Sequence, residues 1–353
     1  MPRVEIPEGY TALVRGPAEV VCSGGCKVFG GVFERFEVPP YKQYPVEGPA
    51  AFEADGGSVA FVKGPAVPED WRMELEGVVA LVGPTDSGKS ALSTFLLNLH
   101  VGRGLVCVVD ADVGQSDIGP PGFVSFACST SQTPHISELR PAGGYYVGSV
   151  SLQGMEEFLV AGAAYCLKEV LAEGPRLVLI NTPGWTAGRG VQLLKALVDA
   201  AGARVVNIGE RVLRGAVVSR PQYVLPRGPQ ERRALRNLAY RRHISLAARV
   251  DAGLEALSPC EWADGLLCPW GRYVPADVER PEGRGREFLV PRGYLRHILA
   301  GLYRGGRLVG YGVVERIYDG GAQLYVSTQD FDEARLGKTR LDPQSLEELD
   351  PLP

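Results

Sequence analysis

No stretch of this 353-residue chain reaches about 18 uninterrupted apolar residues, so an ordinary membrane-spanning helix is excluded. The first ten residues, MPRVEIPEGY, hold no apolar core of the secretory type, and a cytoplasmic protein without a signal peptide is expected. A formal net charge of −4 gives no global basic field, so an anionic partner would have to be held locally. Methionine is rare and lysine is sparse beside arginine, a pattern that fits a hot habitat or a GC-rich genome. The seven cysteines are scattered, as in a protein kept reduced in the cytoplasm. Cys22 and Cys26, in CSGGC, form a lone C-x-x-x-C, where a hairpin turn is expected rather than a zinc site. Internal repeats and low-complexity tracts are missing as well.

Hydrophobic residues make up 45% of the chain, enough for a large core in two or three domains. The most specific stretch is GPTDSGKSALSTFLL, residues 83 to 97. It reads Gly-x-x-x-x-Gly-Lys-Ser, after an apolar strand (GVVAL, 77–81) and before an amphipathic helix. Such a turn aims successive backbone N–H groups at an anion, and the helix that follows adds its positive dipole end. Gly83, Pro84, Thr85, Asp86, Ser87, Gly88, Lys89, Ser90 and Ala91 are therefore expected to cradle a nucleoside triphosphate. Lys89 would reach the β- and γ-phosphates and Ser90 would ligate Mg²⁺. Asp86 reads as a turn residue rather than a catalytic one.

Three regions are expected. Residues 1–70 are short β-type runs separated by Gly, Pro and polar turns, an N-terminal β-domain of sandwich or barrel type. Residues 71–250 alternate strands and helices, an α/β P-loop domain with a parallel sheet whose ligands sit at the strands' C-terminal ends. Its helices are expected over Ser90–Val101, about Leu152–Glu173, about Val191–Ala201 and Pro229–Arg249. Residues 251–353 return to β character, with REFLVP and with Gly-Gly hairpin turns at 305–306 and 320–321.

Downstream features add chemistry. VVDADVGQSDIGPPG puts Asp110 and Asp112 at the end of the second strand, where one carboxylate can join a Mg²⁺ shell and the other can accept a proton. In INTPGW, Asn181 stands where many P-loop proteins carry Asp, and no Asn-Lys-x-Asp occurs, which argues against a regulatory GTPase. Trp185 offers an aromatic plane on which a nucleobase could stack. From Ala203 to Arg249 there are eleven arginines, no lysine and two acids, Glu210 and Glu231. Arg232 and Arg236, four apart, share a helix face and could neutralise charge on a transferring phosphoryl group.

Taken in order, Gly-x-x-x-x-Gly-Lys-Ser, Asp-x-Asp-x-Gly-Gln (110–115), Thr-x-Gly-Trp (182–185) and Arg-x-x-x-Arg (232–236) give a resemblance to the polynucleotide 5′-hydroxyl kinase family. The resemblance covers nearly the whole chain and implies ATP and Mg²⁺ as cofactors and transfer of the γ-phosphoryl to the 5′-hydroxyl of RNA or DNA. It implies Lys89 and Ser90 on ATP–Mg²⁺, with Asp110 and Asp112 also at the metal and Asp112 as base. It further implies Gln115, Thr182, Gly184 and Trp185 on the acceptor, with Arg232 and Arg236 as a lid. The long extension by which larger relatives dock proteins is missing, so a stand-alone archaeal-type member is expected. The alternatives are an ATP-bound RNA-processing scaffold and a dimeric switch ATPase. Against the second, positions 84–87 (PTDS) lack the extra lysine usual in that group.

Overall fold

The computed structural model describes residues 3–262, 266–275, 287–290, 292–318 and 320–353. Two compact units divide it: 1–112, 126–142 and 163–235 form the first, and 113–125, 143–162 and 236–353 form the second.

In the first unit, strands Arg3–Ile6, Ala50–Lys63, Tyr10–Val28 and Gly31–Val38 lie side by side. Gln43–Glu47 pairs with both arms of the long strand Tyr10–Val28, with Glu47 opposite Thr11 and opposite Lys27, so the bent strand closes the sheet on itself. The CSGGC segment is not a hairpin turn. It lies inside that long strand, where the register against Gly31–Val38 shifts between Val21 and Cys26. Gly24 and Gly25, at φ 82° and 89°, supply the left-handed backbone of the bulge.

The rest of this unit belongs to an α/β core, three of whose elements (Phe123–Ser129, Glu156–Ala172 and Pro229–His243) are shared with the second unit. Its elements are β1 (Gly77–Val82), α1 (Lys89–His100), β2 (Val106–Asp110), β3 (Phe123–Ser129), α2 (Glu156–Ala172), β4 (Leu177–Asn181), α3 (Arg189–Ala201), β5 (Arg204–Ile208), β6 (Ala216–Val218) and α4 (Pro229–His243). The sheet runs β6-β5-β1-β4-β2-β3 and ends in the strand Gly143–Tyr146. The pairs β6-β5, β5-β1, β1-β4 and β4-β2 are all parallel. The apolar strands β2 and β4 are buried along their whole length, as a sheet covered on both faces requires. Gly202, at φ 58°, ends α3 in a left-handed cap, its N–H bonding Asp199 and that of Ala203 bonding Val198. The Arg-rich helix is shorter than its composition suggests. α4 stops at His243, and Ala248–Gly253 is a strand paired with Gly321–Val326, because Ala-Arg-Val-Asp-Ala alternates with period two.

In the second unit, strands Ala248–Gly253, Gly321–Val326, Arg307–Tyr318, Ile298–Arg304, Glu333–Leu341 and Leu257–Ser258 form one sheet. Gly305 and Gly306 make the expected hairpin turn with φ 55° and 79°. The strands on either side of the second Gly-Gly pair are antiparallel, though Asp319 lies outside the described residues. So do Arg286 and Pro291 of REFLVP, while Glu287–Val290 is a strand.

Six of the seven cysteines are bonded, as Cys22–Cys26, Cys107–Cys128 and Cys260–Cys268, and Cys166 is free and buried. This corrects the expectation of scattered, reduced cysteines. Strand adjacency brings Cys107 of β2 and Cys128 of β3 together, and spacing templates cannot see that. Intracellular proteins of hyperthermophiles are a known exception to the reduced-thiol rule.

Candidate active site

The phosphate loop grows from β1 and is shaped by residues whose side chains are small or absent. A Cβ on Gly83 would fall 2.7 Å from the Ser87 hydroxyl. Gly88 caps α1 at φ 99°, and Asp86 also lies in the left-handed region, at φ 56°. Among the described residues the buried Ser87 Oγ has no hydrogen-bond partner, as a donor intended for a phosphate oxygen would. Lys89 is buried, and its Nζ donates to the carbonyls of Gly83 (2.9 Å) and Pro84 (3.0 Å). Burial pulls the Lys89 pKa below the ordinary range, and Asp112, Asp86 and Asp110 partly restore it. Of these, Asp112 exerts the largest pull.

Asp110 is the last residue of β2, fully buried, and lies in register with Asn181 at the end of β4. The Asn181 amide donates to Asp110 Oδ1 at 2.9 Å, and the backbone N–H of Asp112 approaches the same oxygen at 3.3 Å. An aspartate at 181 would set two buried carboxylates against each other and force one to take a proton. The amide avoids that conflict and gives Asp110 a hydrogen-bond donor instead. Asp112, two residues past the strand, is half-buried.

The loop after β4 is locked to the phosphate loop. Thr182 is fully buried, and its hydroxyl donates to Leu81 of β1 at 2.8 Å. A Cβ on Gly184 would lie 2.4 Å from Thr85 Oγ1, so only glycine permits the two loops to touch. Trp185 is half-buried, and Gly190 of α3 makes room for it: a Cβ there would come within 2.4 Å of the indole.

The arginines separate. Asp86 receives Arg227 Nε (2.9 Å) and Nη2 (2.6 Å) on one oxygen, and Arg232 Nη2 (3.0 Å) on the other. Arg220 donates to the Asp86 backbone carbonyl at 2.8 Å. Burial pushes the Asp86 carboxyl up, but the Arg227 guanidinium and its hydrogen bonds outweigh it and hold the group below the ordinary carboxylate range. In the second unit Arg236 makes a two-pronged ion pair with Glu348, at 2.5 and 2.9 Å. Thus Gly83–Ala91, Asp110, Asp112, Thr182, Gly184, Trp185 and Arg232 belong to the first unit, and Gln115 and Arg236 to the second. Sequence reading overlooked Arg220, Arg227 and Gly190. For the arginines the one available signal is the basic excess between Ala203 and Arg249.

A glycine-rich strand–loop–helix, a lysine facing two strand-end carboxylates and arginines on the loop define a P-loop phosphotransferase-type site on an α/β core with flanking β-sheets. Residues 83–245 match the family model described as the mRNA cleavage and polyadenylation factor CLP1 P-loop. The polyribonucleotide 5′-hydroxyl-kinase of Thermococcus kodakarensis is 30% identical, over 78% of this chain and 93% of that protein. The one from Pyrococcus furiosus is 34% identical over 143 residues, which span 38% of this chain and 40% of its own length. The solved Clp1p–Pcf11p complex superposes with a TM-score of 0.67 over 96% of this chain and 97% of that one; at 11% identity this speaks for the fold. The chain belongs to the family of polyribonucleotide 5′-hydroxyl-kinases and CLP1 P-loop proteins.

Proposed function

We propose that the protein is an ATP-dependent polynucleotide kinase that transfers the γ-phosphoryl of ATP to the 5′-hydroxyl of RNA, with DNA as a second acceptor to be tested. The observation that carries the reading is Asp112 at the strand end, with its charge the largest attraction on the phosphate-loop Lys89. Water orientation alone does not require a base there, whereas deprotonating an alcohol does. In this reading Asp112 takes the proton of the 5′-hydroxyl and the oxygen forms a bond to the γ-phosphorus. The bond from that phosphorus to the β–γ bridging oxygen breaks, and ADP leaves. Lys89 and Arg232 hold the charge that moves with the phosphoryl group, and Arg236 completes the lid. Trp185 stacks on a base of the acceptor beside Gly184, while Thr182, buried on Leu81, anchors that loop. Gln115 contributes to the acceptor side.

The residues also fit a Mg²⁺ ion. Asp110 is a buried carboxyl group at the strand end, and the Ser87 hydroxyl has no partner among the described residues beside the cradle that Gly83 leaves open. Ser90, Asp110 and Asp112 would hold the ion, which when bound offsets phosphate charge. The three-part division at 70 and 250 belongs to this proposal, as does a cytoplasmic setting. Among the described residues no helix is long and apolar enough to cross a membrane.

The test uses γ-labelled ATP, Mg²⁺ and matched 5′-hydroxyl RNA and DNA oligomers with the wild type and with Lys89→Ala. Label should appear on RNA with the wild type and vanish with the variant. Hydrolysis of ATP with no labelled oligomer would overturn the kinase reading.

A further inference from the structure

Asp86 is oddly placed for an acidic residue: it is set inside a loop built to hold phosphate, and its side chain is only 7% exposed. An anion there should repel the ligand. The structure offsets this with more than one cation. Arg227 grips one carboxylate oxygen with two nitrogens, and its own backbone N–H reaches the other at 3.2 Å. Arg232 takes that second oxygen as well. One carboxylate therefore fixes two guanidiniums beside the phosphate loop.

Three further facts point the two guanidiniums at an anion. Arg227 lowers the pKa of Lys89, so the two cations sit near enough to repel. Arg232 Nε is buried and, among the described residues, has no hydrogen-bond partner, and the same holds for Ser87 Oγ. Arg227 also keeps donors to spare, since a guanidinium carries five N–H groups.

We propose that Arg227 is a phosphate-contacting arginine of the transfer reaction and that Asp86 is the residue that positions Arg227 and Arg232 over the phosphate loop. The inference rests on the kinase reading for its reaction, but not for its ligand. The resemblance that picked out Arg232 and Arg236 gave Arg227 no role, because it lies before α4 with no helical spacing to either. A planar fork fixed on a carboxylate is preorganised: its orientation is settled before the γ-phosphoryl moves.

The experiment compares full-length wild type with Arg227→Ala, Arg227→Lys and Asp86→Asn. Steady-state transfer to a 5′-hydroxyl RNA is measured along with the Tm rise given by ATP and by ADP. Arg227→Ala should lower kcat on the order of 10²-fold, with a much smaller rise in the KM for RNA. It should also shrink the advantage of ATP over ADP in raising Tm. Arg227→Lys should recover little, because a point charge does not replace a fork. Asp86→Asn keeps the side-chain size and should lower kcat roughly tenfold, with some fall in Tm from the two guanidiniums left without their carboxylate. The assignment is overturned if Arg227→Ala keeps kcat within about twofold, or if kcat and Tm fall together and Arg227→Lys restores both. Should the wild type label no RNA, the kinase reading fails alone. The ATP-over-ADP difference then still judges Arg227: retained in Arg227→Ala, it refutes the contact, and lost, it upholds it.

Discussion

Gly77–His100 and Arg220–Arg232 border the same phosphate loop, yet they are built by opposite means. The first works with neighbours: a buried strand, glycines, consecutive backbone N–H groups and a lysine at the head of α1. The second works at long range. Arg227 meets an aspartate 141 positions away, and Arg232 the same aspartate 146 positions away. A site made of adjacent residues depends little on the rest of the fold. A site made of distant ion pairs exists only once the fold is complete, and each pair carries a desolvation cost.

The comparison breaks first at Asp112, whose role needs both the local strand and the distant cations. Asp112→Asn keeps shape and removes the base, so single-turnover transfer should fall ~10²–10⁴-fold while ATP binding persists. If Asp110→Asn is the more damaging change and Asp112→Asn nearly silent, the two carboxylates exchange roles.

Trp185 sharpens the contrast on the acceptor side. Stacking contributes ~1–3 kcal/mol per base, so Trp185→Ala should raise the RNA KM about ten- to a hundredfold, with Trp185→Phe recovering part. ATP affinity should hardly move. A parallel decline in Tm, ATP binding and RNA use would mark the indole as packing alone.

The two helix arginines should part company. Arg232→Ala should act on the transfer rate more than on Tm. Arg236→Ala leaves the mostly buried Glu348 without its partner, its side chain being 10% exposed, and should cost about 2–4 kcal/mol of stability besides any rate effect. Equal Tm values for the two variants in a thermal melt would remove that distinction.

The last effect concerns pH and lies away from the phosphate loop. Burial, and then Arg242, push His243 down from 6.5 to about 4. Between those values the unfolded chain binds a proton that the folded chain refuses. Stability therefore falls as pH drops from about 6.5 toward about 4 and loses nothing further to this group below that. His243→Gln should flatten the Tm-against-pH curve in that window, and an unchanged slope would assign it elsewhere.

Legibility follows the same divide. The strand before the phosphate loop, the loop itself and the helix after it could be read because apolar period, glycine and lysine lie in one short run. Asp110 and Asp112 could be read as a strand-end pair, but their tie to Asn181 comes from the β2–β4 register, which no local pattern encodes. The overlong α4 and the CSGGC turn went astray for one reason: composition resembled helix and hairpin, while pairing to distant strands settled both. Arg227 carries no spacing signal at all, because its partner lies in another motif.

The bond between Cys107 and Cys128 brackets the segment that holds Asp110, Asp112 and Gln115. A protease that cuts once inside that segment would leave two fragments still joined as one molecule. On a gel without reductant the nicked protein would run as intact, though its acidic motif is severed from one strand. Preparations of uneven activity and uniform apparent mass would have this as a concrete cause, visible once thiol is added.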